Sequence, residues 1–149
     1  SLDLLGRKVL GNNGATLKKF GKLIGVLVAE EGVNEKMAEF INPLAMLGEQ
    51  MTKFTTELGF KGLQNPDEVG AAAVDYLRVA GHLVFGYLFA RMAQVALREI
   101  AAGNADPFYV AKLQTARFYF AKLFPETVTL MRTARAGSKV LMDTDAALA

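Results

Sequence analysis

Apolar residues recur at steps of three and four in four successive stretches of the chain, the spacing that lines them along one side of a helix. In the first stretch Leu17, Phe20, Ile24, Leu27 and Val28 align, predicting a helix over residues 15–31. Gly11-Asn12-Asn13-Gly14 reads as a turn before it, and Gly32 as its stop. Asn34 caps the second helix, where Met37, Ile41, Leu44, Gly48, Met51, Thr55 and Leu58 share a face with Phe40, Leu47 and Phe54 beside it. Pro43 falls inside that pattern and predicts a kink or, with Asn42, a restart, the kink being favoured, since proline removes a backbone bond and crowds the preceding turn. Residues 59–65 form a short connection. Asn65-Pro66-Asp67-Glu68 then carries a cap, a proline at the first position and acids at the positive dipole end. The third helix reaches to about residue 102, with Gly103-Asn104 ending it. Asp106-Pro107 opens the fourth by the same logic, and Tyr109, Leu113, Ala116, Phe120, Leu123, Thr127, Met131 and Ala134 draw its apolar stripe. That helix runs to about residue 136, bent at Pro125, and residues 137–149 read as a loose tail. Four long helices joined by short turns predict an all-α, up-down-up-down four-helix bundle.

The third helix departs from simple amphipathicity. In its first half Val69, Ala73, Tyr76, Leu77, Ala80 and Val84 share a face opposite Asp75, Arg78 and His82; in its second half Arg91 and Arg98 fall on that apolar line. Phe85, Phe89, Met92, Ala96 and Ile100 take over the apolar sector, displaced by roughly half a turn. A helix apolar nearly all round is buried on two sides. Phe118 also projects from the polar side of the fourth helix. Phe85, Phe89 and Phe118 are therefore candidates for a second interface, against another domain or another subunit, weighed evenly against scattered surface hydrophobes.

Composition narrows the class. The chain has 149 residues, 52% hydrophobic and 21% charged, a balance that excludes disorder and fits one globular domain burying about 70% of its unfolded surface. Seventeen basic and fifteen acidic residues leave a charge of +2, too weak to imply nucleic acid or an acidic membrane. Cys is absent, which excludes disulfides and thiolate metal sites and fits a cytoplasmic setting. No cationic and apolar leader opens the chain, so no signal peptide is expected, and the apolar run over residues 79–90 is short of the roughly 20 residues a bilayer requires.

Catalytic chemistry finds little support. His82 is the only histidine, the only serines are Ser1 and Ser138, and no cysteine stands ready as a nucleophile. A di-iron bundle site needs a glutamate three residues before each of two histidines; Val79 stands there, and a second histidine is lacking. A structural histidine is the weightier reading. Asp75 is read as pairing along its own helix with Arg78 or His82, Glu30-Glu31 as solvated, and Asp67-Glu68 as a response to the helix dipole. Gly11–Gly14 lacks the strand before it and the Lys-Ser/Thr after it that a phosphate loop needs. Arg132, Arg135 and Lys139 are read as offsetting the helix dipole rather than binding phosphate. No catalytic, cofactor-binding or metal-binding residue is assigned.

The order of residues in Asp106-Pro107-Phe108-Tyr109-Val110-Ala111-Lys112-Leu113, continuing through Phe118-Tyr119-Phe120-Ala121-Lys122-Leu123-Phe124-Pro125-Glu126, resembles the last long helix of the C-terminal helical domain in a subgroup of large acyl-CoA dehydrogenases. Leu2-Asp3-Leu4-Leu5-Gly6-Arg7-Lys8 is similar to a run at the end of that family's catalytic core, and Val74-Asp75-Tyr76-Leu77-Arg78 with Gly81-His82 also looks like the family. The resemblance implies that residues 1–10 end the core's last helix, that 11–136 form the C-terminal bundle, and that the glutamate base and FAD contacts lie upstream. It further implies a parent oxidoreductase of fatty acid metabolism that dehydrogenates acyl-CoA thioesters with FAD and passes electrons to an electron-transfer flavoprotein. This piece itself is expected to hold no cofactor and to be inactive alone. It would pack on the catalytic core of the same polypeptide or at a homo-oligomer interface, with no nucleic acid and no membrane. The alternative class is a free-standing helical interaction module without enzyme activity.

Overall fold

The computed structural model describes residues 12–64 and 66–136. All of their regular structure is helical, with no strand among the described residues. Helix α1 spans Asn12–Glu31, a 3-10 turn Glu35–Met37, α2 Ala38–Gln64, α3 Pro66–Ala101, α4 Pro107–Phe118 and α5 Glu126–Ala136. A π turn, Tyr119–Leu123, joins α4 to α5, so the last two helices form one interrupted rod. The expected four-helix bundle is the observed architecture.

Side-chain pairings give its topology. Thr55 meets Tyr76, and a Cβ at Gly86 would meet Leu44, so α2 and α3 run antiparallel. Phe89 stacks on Tyr119 while His82 meets Glu126, which sets the last rod antiparallel to α3. Phe20 contacts Tyr87 and Glu31 contacts Gln94, so α1 and α3 are parallel. Glu39 pairs with Arg117 and Phe40 packs on Phe120, while Gln50 and Met131 line one groove, placing α2 and the last rod parallel. This is up-down-up-down.

The bundle's hub is α3, which packs against each of the other three rods. Its buried Ala72, Tyr76, Val79, Leu83, Ala90 and Ala93 join a core with Leu27, Phe40, Leu44, Met51, Phe54, Leu113 and Phe124. That role explains its composition: the stretch Gly70–Ala101 is long and apolar enough to cross a membrane by length and mean hydropathy, 1.2. Here 39% of that apolar window is buried in the protein core and the rest stays on the bundle surface. Gly86 gives its neighbours room, because a Cβ there would sit 3.0 Å from both Leu44 Cδ1 and Phe124 Cε2, and those side chains would have to shift. The helix closes as its sequence predicts. Gly103 takes the left-handed conformation at φ 85°, Asn104 N donates to Glu99 O at 3.0 Å and Gly103 N to Ile100 O at 3.1 Å. Asp106 Oδ1 then accepts from Phe108 N at 3.0 Å and Pro107 opens α4.

Two local expectations change. The turn expected at residues 11–14 is helical from Asn12 onward, and the connection expected over residues 59–65 is the end of α2, which continues to Gln64. Asparagine and glycine are tolerated in the first and last turns of helices, where backbone groups lack intrahelical partners in any case. Helix α2 also continues through Pro43 without restarting. At Pro125, where a bend is expected, the rod is interrupted: the π turn leads into a turn at residues 124–125 before α5 begins at Glu126. Phe124 N donates to Tyr119 O at 2.9 Å, a five-residue closure, and Pro125 has no N–H to place. The wider turn shifts register, so Tyr119 and Phe124 enter the core and Leu123, expected on the stripe, is exposed. The readings of residues 1–10 as a core remnant, of Asn65 as a cap and of residues 137–149 as a tail lie outside the described residues.

Candidate functional site

Two polar clusters interrupt the apolar packing of α3. At the first, His82 leaves the polar side of α3 and reaches the π turn rather than Asp75 on its own helix. Its Nδ1 lies 2.9 Å from Tyr119 Oη, and its Nε2 lies 2.8 Å from Glu126 Oε2. Arg78 also turns to Glu126, with its guanidinium 2.6 Å from Oε1. The same-helix pairing expected for Asp75 is thus replaced by contacts across to the last rod. Tyr119 Oη also lies 3.2 Å from the His82 carbonyl, to which it donates.

His82 Nε2 donates to the Glu126 carboxylate, and Nδ1 faces the Tyr119 phenol. The hydrogen bond from His82 holds the Glu126 carboxyl below its ordinary range, with Arg78 adding to the effect and partial burial opposing it. Burial pushes the Tyr119 phenol well above its usual range, and the Glu126 charge pushes it further the same way.

Aromatic rings surround this cluster. Tyr119 stacks on Phe89 at 4.5 Å between centroids and meets Phe120 and Phe124 edge-on. The His82 side chain is only 14% exposed, and both of its nitrogens are engaged by protein groups. A general base needs a free nitrogen facing a substrate cleft. This arrangement serves as a clamp between helices.

The second cluster joins the C-terminal end of α1 to the second half of α3. Gln94, 1% exposed, donates to Glu31 Oε1 at 2.7 Å and to Glu30 Oε2 at 3.2 Å, and accepts from Arg91. Asn34 Nδ2 donates to Glu31 Oε2 at 3.0 Å, and Arg98 lies 3.5 Å from Oε1. Glu31 is therefore buried and bonded, not solvated as its place beside Glu30 and Gly32 suggested. The Gln94 amide, then Asn34, lowers its pKa, against the opposing effect of burial and with help from Arg98. Arg91 and Arg98, which fall on the apolar line of α3, are there to meet these carboxylates.

The three candidate interface phenylalanines separate. Phe85 is 57% exposed and Phe118 59% exposed, while Phe89 is partly buried against the core through Tyr119. A shallow groove of about 280 Å³ lies between α2 and α5, lined by Gln50, Val128, Met131, Arg132 and Arg135. It is open, holds no carboxylate and does not fit a dinucleotide. Arg135 also occupies the last turn of α5, where a cation offsets the helix dipole; Lys139 lies outside the described residues. Among the described residues no three His, Asp or Glu side chains converge as metal ligands.

The helical bundle defined by these contacts belongs to the family described as "Acetyl-CoA dehydrogenase C-terminal like", whose model matches residues 15–145. The chain is also 31% identical, over 128 residues, to the 3-methylmercaptopropionyl-CoA dehydrogenase of Ruegeria pomeroyi. That match covers 83% of this chain and 21% of the relative, so the chain spans about a fifth of the relative's length. The resemblance noted in the sequence is thus a family membership.

Proposed function

We propose that this chain is the C-terminal helical domain of an FAD-dependent acyl-CoA dehydrogenase and that its part in that enzyme is structural. The observation that supports this best is the family match over residues 15–145 in a chain that spans 21% of a dehydrogenase relative. The parent reaction is α,β-dehydrogenation of an acyl-CoA thioester: a carboxylate base removes the α-proton and the flavin accepts hydride from the β-carbon, with electrons leaving to an electron-transfer flavoprotein. The groove between α2 and α5 does not suit a flavin, and no step is assigned to the described residues; in this reading FAD and the base belong to the rest of the parent. The domain packs on the catalytic core of the same polypeptide, supporting the shape of the acyl pocket or a homo-oligomer, in a cytoplasmic enzyme of fatty acid metabolism. Because the relative acts on a thioether acyl-CoA, such thioesters belong beside straight-chain ones in any substrate panel.

The test is to isolate the native product from its own cells and measure its mass, flavin content and acyl-CoA turnover. A polypeptide several times larger than 16.1 kDa with bound FAD and turnover is expected. A flavin-free native product of this size overturns the reading. It would favour instead the free-standing interaction module, for which the exposed Phe85 side of α3 is the motivating feature.

A further inference from the structure

Among the described residues, one face of the hub helix has no partner. Val74, Leu77, Gly81, Phe85, Leu88, Met92 and Val95 recur at steps of three and four along α3. At 100° per residue they fall within a sector of roughly 80°. Val74, Leu77, Phe85, Leu88 and Val95 are between 40% and 72% exposed, and a Cβ at Gly81 would meet nothing within 4 Å. The opposite side of the same helix is core. This is the pattern of a helix with a second apolar seam, with Gly81 as a hole beside the larger Phe85 and Leu88.

Resting on the reading above, we infer that this seam is covered by a helix from the remainder of the same polypeptide, outside residues 1–149, whose own apolar stripe packs along α3 from Val74 to Val95. Three observations select this occupant. The seam is about 32 Å long and one helix, about 10 Å, wide. A few hundred Å² falls short of the roughly 800 Å² per partner that a stable free association uses, whereas a covalently joined partner is held at high effective concentration and needs less. The chain spans only 21% of its dehydrogenase relative, and a parent of that size carries ample sequence to supply such a helix. The guanidiniums nearest the seam are engaged within the domain, Arg78 with Glu126 and Arg91 with Glu30. The surface therefore offers mainly apolar contact, with the two guanidiniums of α3 nearest to it already paired.

The experiment uses the full native polypeptide with a photoreactive benzoylphenylalanine at Phe85, and separately at Leu88, with Gln114 on exposed α4 as control. Copies labelled with ¹⁴N and ¹⁵N are mixed, allowed to exchange, irradiated, and mapped by mass spectrometry. Cross-links from positions 85 and 88 to peptides outside residues 1–149, all of single isotope, are expected, at least about tenfold above the Gln114 control. Mixed-isotope cross-links identify a second copy as the occupant and overturn the proposal. So does the absence of cross-linking, or cross-linking only when phosphatidylcholine–phosphatidylserine vesicles are added. Flavin content and acyl-CoA turnover of the same preparation separate the two readings. Cross-links without flavin keep the seam and remove the dehydrogenase; flavin and turnover without cross-links do the reverse.

Discussion

Helix α3 is tied to its neighbours by two polar clusters of opposite construction. Around Gln94 a neutral amide is sunk in the core, and charged groups from α1 and α3 gather at its edge, each spending its bonding capacity on the others. Around His82 the centre is aromatic, with Tyr119 stacked on Phe89, and the charges of Glu126 and Arg78 stand at the half-exposed rim. The first cluster is costly to break, since any lost partner strands a buried group. The second is held mainly by ring packing and tolerates the loss of one bond. Position along one helix therefore does not predict what a polar side chain contributes; the burial of its partners does.

The comparison is broken most directly by Gln94→Ala, which removes the donor to Glu31 and opens a small cavity. A loss of about 3 kcal/mol is expected in urea unfolding. Gly86→Ala forces Leu44 and Phe124 apart beside the aromatic cluster and is expected to cost about 2 kcal/mol by the same measurement. Tyr119→Phe keeps the stacked ring but deletes the phenol's hydrogen bonds, a loss of about 1 kcal/mol. The intact packing should show as a single cooperative urea transition with an unchanged m-value.

Acid sharpens the contrast. Glu31 and Glu126 have folded pKa values lowered from 4.5. The stability they contribute is therefore present above that pH and lost as pH falls through their folded values. Urea midpoints should fall on acidification below pH 4.5, and Gln94→Ala should flatten that fall, because it removes the largest cause of the Glu31 shift. Arg117→Ala, which breaks only the exposed pair with Glu39, should change stability by less than about 0.5 kcal/mol.

Much of the fold was legible because helical periodicity is local. The stripes of α1 and α2, the Gly103 stop and the Asp106-Pro107 start each depend on neighbours a few residues away. The Gln94 cluster depends on residues 63 and 64 positions distant, and no motif marks it. A signal was nevertheless present. Tyr76, Ala80, Leu83, Tyr87, Ala90 and Gln94 fall on one line of α3, and Ile24, Leu27 and Glu31 on one line of α1. A polar residue ending an apolar line on each of two helices is a reason to look for a bond between them. A bonded His82 was legible, but its partner was not. Asp75 lies nearby in sequence, whereas Glu126 is brought within reach by the antiparallel packing of the last rod.

The π turn at Tyr119–Leu123 has a consequence for how this chain can change length. A turn of that kind accommodates one residue more than an α-turn, so deleting a residue there would let the rod close into continuous α-helix. Because the wide turn holds that residue as a local excess, removing it would leave α5 close to its present face, with Glu126 still opposite His82. A deletion within the regular turns of α5 would instead rotate everything beyond it by about 100° and shift it by about 1.5 Å. The π turn is thus a place where the last arm can lose a residue without losing its register.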